Sequence, residues 1–115
     1  MKFELIKNPI GLEMYGDIPC LPVDVDDKTG ERFIGEESDS WLLLEYFVRK
    51  IDSSCPNLLD YGDVDYFNRD KCKIIKRWLE NIEPTENARL IRLFDVLHDY
   101  TTRAIELNTG VVIEL

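Results

Sequence analysis

Two short acidic pairs are the residues of this sequence that most readily suggest chemistry. Asp24-Val-Asp26 and Asp63-Val-Asp65 each place two carboxylates two positions apart, and such a pair can hold Mg²⁺ together with a substrate phosphate. Spacing this short also recurs by chance. A sugar-nucleotide transferase further requires a nucleotide-binding domain, which 115 residues do not accommodate beside these pairs. A small metal-dependent enzyme is therefore the least favoured interpretation, and we expect no metal or cofactor.

The stretch "DVDDKTGERFIG" does not satisfy the rules of a calcium-binding loop. Counted from Asp24, Lys28 takes the fifth position, where an oxygen ligand is needed, and Gly35 takes the twelfth, where a bidentate glutamate is needed. A lysine ammonium at a ligand position repels the cation. The sequence thus excludes an EF-hand here.

Residues for nucleophilic or redox chemistry are scarce. His98 is the only histidine, with Asp95 three positions earlier as a possible orienting partner. A single histidine near an apolar helix face is usually structural, and no glycine-rich phosphate loop is present. Cys20, Cys55 and Cys72 are odd in number and lack CxxC spacing, so we expect reduced, partly buried thiols. We predict that the protein is not an enzyme.

Charge is the most uneven property of the chain. The protein has 44% hydrophobic residues and a net charge of -9, which suits one folded domain spanning residues 1–115. The first 70 residues carry seven Lys or Arg against sixteen Asp or Glu, whereas the other 45 carry seven of each sign. The whole surplus lies in the first part of the chain, in two clusters: Asp17, Asp24, Asp26, Asp27, Glu31, Glu36, Glu37 and Asp39, then Asp60, Asp63 and Asp65.

Crowded like charges lower stability, so folding alone gives no reason to concentrate them. Solubility is one explanation, since charge runs are often solvated faces. An array of carboxylates also resembles the phosphates of a nucleic acid and steers a protein toward a basic groove. Direct nucleic-acid binding is disfavoured because phosphate contacts require Lys and Arg, which are outnumbered here.

Hydrophobic spacing predicts mostly strands at the beginning of the chain. Residues 2–6 and 10–15 alternate polar and apolar side chains, and residues 20–26 and 31–34 are predicted to form a hairpin with its turn at 27–30. The aspartates at 24 and 26 would then point outward. Ser38 or Ser40 can cap a first helix, whose apolar stripe includes Trp41 and Leu44.

The hydrophobic spacing in the second half of the chain predicts helices and one final strand. Residues 60–63 are predicted to form an irregular joint, residues 65–82 a second helix, and Thr85 the cap of a third helix that extends to about Ala104. Residues 111–115 form a closing strand. This order predicts an α+β fold in which about three helices pack on one face of a mostly antiparallel sheet.

The first residues, MKFELIK, contain Glu4 and Lys7, which interrupt the apolar run that a signal peptide needs. The longest apolar runs are far shorter than the roughly 20 residues that cross a bilayer. Together with the cysteine pattern, this predicts a cytoplasmic protein with no membrane partner.

The chain resembles bacterial immunity proteins that neutralise cognate toxins, in particular those of contact-dependent growth inhibition systems. The resemblance lies in its size, its charge, the order of its elements and the stretches "PVDVDDKTGE", "GEESD" and "DYGDVDY". The resemblance implies a cytosolic α+β inhibitor that covers the active site or substrate groove of a toxic nuclease.

Charge alone predicts which residues contact such a basic partner. Tyrosines beside the second acid cluster can serve as amphipathic anchors. The predicted contact residues are Asp24, Asp26, Asp27, Glu31, Glu36, Glu37, Asp39, Asp60, Tyr61, Asp63, Asp65 and Tyr66. The alternative is a phage-type acidic mimic of nucleic acid that inhibits a host defence nuclease.

Overall fold

We analysed a computed structural model of the chain, which describes residues 1–48, 62–82 and 85–115. Asp60 and Tyr61, the first half of the predicted joint at 60–63, lie outside these ranges, as does the end of the predicted first helix. The strands are β1 (Lys2–Ile6), β2 (Glu13–Tyr15), β3 (Ile18–Cys20), β4 (Gly30–Ile34), β5 (Val64–Phe67) and β6 (Val111–Glu114). The α-helices of the described residues are α1 (Glu37–Leu43), α2 (Arg69–Asn81) and α3 (Ala88–Leu107).

Four strands form the main sheet in the order β4-β1-β6-β5, and each pairing is antiparallel. Side chains alternate between the two faces of a strand, so Phe3 and Leu5 of β1 point to one face together with Val111 and Ile113 of β6. These four side chains are buried in the cluster that the helices cover. The α+β class and the helices on one face are confirmed.

The opposite face of the sheet carries a smaller apolar layer. Strands β2 and β3 pair with each other as a separate two-stranded sheet, and Ile6, Val112 and Leu21 form a buried cluster on this side. The predicted hairpin of residues 20–26 with 31–34 is wrong. Strand β4 pairs with β1 instead, and Val23 lies in a turn with 91% of its surface exposed.

Helix α1 begins earlier than its serines suggested. Glu36 is the N-cap residue, and its backbone N–H donates to Asp39 Oδ2 over 2.8 Å. The helix continues as a π-helical turn, Leu44–Val48. Leu44 is buried as expected, and Leu43, outside the predicted stripe, is buried as well, but Trp41 is more than half exposed.

The region predicted as one helix over residues 65–82 contains a strand followed by a helix. Residues 64–67 pair with β6, and Asn68 then caps α2 by accepting from the backbone N–H of Lys71 over 3.0 Å. Helix α3 is capped by Asn87 rather than Thr85. It extends to Leu107, and Asn108 ends it in the left-handed conformation.

Helices α2 and α3 pack against each other over the sheet. The rings of Trp78 and Phe94 meet edge to face with centroids 5.9 Å apart, and Leu93 and Leu97 of α3 are fully buried. His98 lies at the rim of this interface, with Nε2 3.4 Å from Glu80 Oε2.

Candidate protein-binding surface

Two acidic side chains of the N-terminal half are buried in ion pairs. Asp39 is 1% exposed, and its two oxygens accept from Nε and Nη2 of Arg89 over 2.7 and 2.5 Å. The hydrogen bonds from Arg89 hold the pKa of Asp39 below its ordinary value. Glu4 is also buried and accepts from Arg32 Nε over 2.7 Å. Asp39 was predicted as a contact residue, but burial removes its carboxylate from the surface.

Glu31 is committed to cations of the same chain. Its carboxylate pairs with Lys7 Nζ at 2.7 Å and accepts hydrogen bonds from the guanidinium of Arg103. Arg103 also pairs with Asp99 one helical turn away. The negative charge of Glu31 is therefore largely neutralised within the fold, because two cations already face it.

The loop from residue 21 to residue 29 is attached to the sheet through its backbone. The guanidinium of Arg32, besides its bond to Glu4, donates to the carbonyl oxygens of Leu21, Pro22 and Val23 over 3.3, 3.1 and 3.2 Å. Arginine can make these bonds together because it presents five donors in one rigid plane. One side chain of β4 thus fixes the first half of the loop.

A turn fixes the second half of this loop. Asp26 Oδ1 accepts from the backbone N–H groups of Lys28 and Thr29 over 3.1 and 2.8 Å, an arrangement typical of aspartate in turns. Hydrogen bonds from the side chain and the amide of Thr29 lower the pKa of Asp26. Lys7 Nζ also donates to the carbonyl oxygen of Asp27 over 2.8 Å.

Asp24, Asp26 and Asp27 are all exposed at this end of the sheet. Among the described residues, none of these three carboxylates forms an ion pair within 4.0 Å. The neighbouring cations, Lys7 and Arg32, bond to loop carbonyls and to Glu31 and Glu4. We call the three aspartates the loop acids. The positive charge of Lys28, in the same loop, favours the ionised form of Asp26, but no cation of the described residues is in direct contact with the three carboxylates.

Glu36 and Glu37 lie at the other end of β4. They follow Ile34, whereas the loop acids precede Gly30, and both glutamates are exposed. A strand rises about 3.3 Å per residue, so the five residues of β4 separate the two groups by roughly 15 Å. The first predicted cluster is therefore divided along one edge strand.

The second predicted cluster lies at the opposite edge of the sheet. Asp65 and Tyr66 belong to β5, and Asp63 directly precedes it. Three interstrand spacings separate β5 from β4, which is about 14 Å. Tyr66 is half-buried, and its ring contacts Gly110 so closely that a Cβ there would lie 2.5 Å from Tyr66 Cζ. Burial raises the pKa of its hydroxyl.

Within the described ranges, no three His, Cys, Asp or Glu side chains are grouped so that they could hold a metal ion. No helix of the described residues has both the length and the apolar character needed to cross a membrane. Comparisons of the chain with models of protein families, with curated proteins and with solved structures found no match.

Sequence reasoning overlooked the cations that organise this surface. Arg32 and Lys7 are single basic residues and carry no motif. The only sequence signal at Arg32 is that it is basic in a stretch otherwise rich in acids, and Lys7 has no such signal. The structure shows that they hold the loop backbone and two other acids rather than the loop acids.

Proposed function

We propose that this protein is an inhibitor of the immunity-protein type, which binds a basic protein partner through the loop acids and covers its active site or substrate groove. In this proposal the partner is a nuclease, because its substrate groove has to be basic to bind phosphates. The inhibitor itself performs no reaction and acts in the cytoplasm.

One observation carries the proposal. The loop acids are exposed and form no ion pair within 4.0 Å among the described residues, although the cations Lys7 and Arg32 contact the same loop. Had the charge served only the fold, these cations would be expected to face the aspartates. Instead they fix the loop backbone and leave its carboxylates to the solvent.

The attachment of the loop also favours binding. A segment that is already held in place loses less conformational freedom when it binds, so more of the interaction energy appears as affinity. The negative potential of a protein with net charge -9 accelerates its encounter with a basic groove.

The proposal is tested by capturing the partner on the immobilised protein from a lysate of the source cell. The captured protein is then assayed for nuclease activity with and without this chain. A charge variant carries Asp24→Lys, Asp26→Asn and Asp27→Lys, in which the Asp26→Asn change keeps the side-chain oxygen that accepts in the turn. We expect this variant to bind about tenfold more slowly or worse, and its binding to depend less on salt.

A matched control carries Glu86→Lys, Glu106→Lys and Glu45→Gln, which change the net charge equally at exposed sites outside the loop. It should bind within about threefold of the wild type. Equal losses in both variants would mean that net charge alone governs association. A partner without nuclease activity, or one whose activity is unaffected by the chain, would contradict the inhibitor proposal.

A further inference from the structure

Strand β4 is an edge of the main sheet, and its backbone groups alternate in direction. In an antiparallel pair the N–H and C=O groups of successive residues point to opposite sides of a strand. The N–H of Lys7 donates to the carbonyl oxygen of Thr29, and the N–H of Gly35 donates to that of Met1, so residues 29 and 35 direct their backbone groups toward the chain of β1. By alternation in the same register, the backbone N–H and C=O groups of Glu31 and Phe33 also point toward β1.

Arg32 and Ile34 consequently direct their backbone N–H and C=O groups away from the sheet. No described residue forms a hydrogen bond with these four groups. Beside them lies a groove of about 440 Å³, lined by Glu31, Arg32 and Phe33 of β4 and by Arg92, Asp95 and Asp99 among the residues of α3. The α3 residues in its lining place this groove on the helix-covered face of the sheet, beside β4.

Both ends of this edge are negatively charged. The loop acids precede Gly30, and Glu36 and Glu37 follow Ile34. A second copy that paired with β4 in antiparallel orientation would bring its loop acids beside Glu36 and Glu37. A parallel copy would bring each acidic group beside its own equivalent. Like charges oppose both arrangements, whereas a strand from a basic protein meets opposite charge at both ends.

We propose that β4 accepts an extended segment of a basic protein, which adds to the sheet as a fifth strand. This inference rests on the proposed function for the character of the partner and specifies how that partner is held. Main-chain hydrogen bonds to Arg32 and Ile34 supply register, and side chains of the added strand supply specificity.

Alternate side chains of the added strand would meet two different surroundings. On one face lies Ile34, which is 73% exposed and offers apolar contact. On the other lies the groove. The guanidinium groups of Arg89 and Arg92 lie 5.9 and 5.8 Å from the centroid of the Phe33 ring there, and Asp95 is exposed. Among the described residues Asp95 has no ion pair, so a Lys or Arg that enters the groove finds a carboxylate. An alternating basic and apolar segment fits this edge.

The test uses a capped seven-residue peptide that alternates lysine and valine, titrated into the isotopically labelled full chain. We expect the amide resonances of Arg32 and Ile34 to shift most and their hydrogen exchange to slow at least tenfold at saturation. A peptide of the same pattern with glutamate in place of lysine should bind at least tenfold more weakly.

A pair of variants at position 34 isolates the backbone contribution. Ile34→Pro removes the outward N–H without removing a bond to β1, and proline is tolerated at such edge positions. Ile34→Thr keeps that N–H and removes similar apolar surface. We expect Ile34→Pro to weaken peptide binding at least tenfold relative to Ile34→Thr, while both variants keep the dispersed spectrum of the folded chain.

Three results would overturn the added strand. The lysine peptide could shift only the loop acids, the two variants could bind it equally, or no resonance could change at millimolar peptide. Sedimentation that shows a dimer lost in Ile34→Pro would identify a second copy as the occupant instead. Each result leaves the proposed function to be decided by the loop charge variant, so the two proposals can fail separately.

Discussion

Glu4, Glu31 and Asp39 belong to the same acidic half of the chain as the loop acids, yet their surroundings are opposite. Each of the first three contacts at least one arginine, and Glu4 and Asp39 are buried. The loop acids are exposed and form no ion pair among the described residues. Residue type and proximity in sequence therefore do not decide whether an acid serves the fold. The decisive factor is whether the topology brings a guanidinium to it.

Loss of the buried pair at Asp39 should have the largest effect on stability. Asp39→Ala leaves Arg89 without its partner and the amide of Glu36 without its acceptor, at a cost of about 1–3 kcal/mol. A larger cost is not expected, because the side chain of Arg89 is 45% exposed and regains water. Urea denaturation measures the change. Glu45→Ala, an exposed acid on the following turn, should stay within about 0.5 kcal/mol.

The substitution Glu31→Gln should lower the free energy of unfolding by a smaller amount. Lys7 and Arg103 are partly exposed, so solvent replaces much of the lost interaction, and we expect about 0.5–1.5 kcal/mol. The free energy of unfolding in urea measures this as well. Asp95→Asn removes an equal charge from α3 without breaking an ion pair, and a similar loss in both variants would contradict the role given to Glu31.

The difference in unfolding free energy between the wild type and Asp39→Asn should become smaller at acidic pH. The pKa of Asp39 is lowered in the folded state, so its stabilising contribution is fully present above the unfolded pKa of about 3.8. That contribution is lost as the pH falls through the lower folded value. The difference in unfolding free energy should be constant between about pH 5 and 7 and shrink below about pH 4. A difference independent of pH down to about pH 2.5 would disprove this assignment.

The loop acids should have the smallest effect on stability. Asp24→Asn combined with Asp27→Asn removes two exposed, mutually repelling charges, so the free energy of unfolding should change by less than about 0.5 kcal/mol or increase slightly. Thermal denaturation at low and moderate salt would show this. A loss above about 1 kcal/mol would place these residues with the structural acids and remove the contrast between the two sets.

The parts of the fold that could be predicted depend on local patterns. Residues 2–6 and 111–114 carry the β pattern of central strands, and the apolar spacing of α3 identified it as a helix. Strand β5 was missed because Phe67 fits the helical spacing that continues through Cys72 and Ile75 as well as it fits a strand. Only pairing with β6 decides between helix and strand here, and the residues of β6 lie more than forty positions later in the chain.

The candidate surface was predictable in composition but not in arrangement. The exposure of Asp24 and Asp26 was predicted from a hairpin that the chain does not form, and both are exposed in a loop instead. The burial of Asp39 could not be predicted, because Arg89 lies fifty positions away. The role of Arg32 was equally hidden, since its acceptors are main-chain carbonyls and leave no trace in the sequence.

The carbonyl anchors of Arg32 have a consequence for how this surface can change. Every amino acid carries a main-chain carbonyl, so positions 21–23 can be substituted without removing an acceptor from Arg32. At positions 22 and 23 the side chains are also exposed. The side chains at this end of the molecule can therefore change while the loop backbone keeps its attachment to β4.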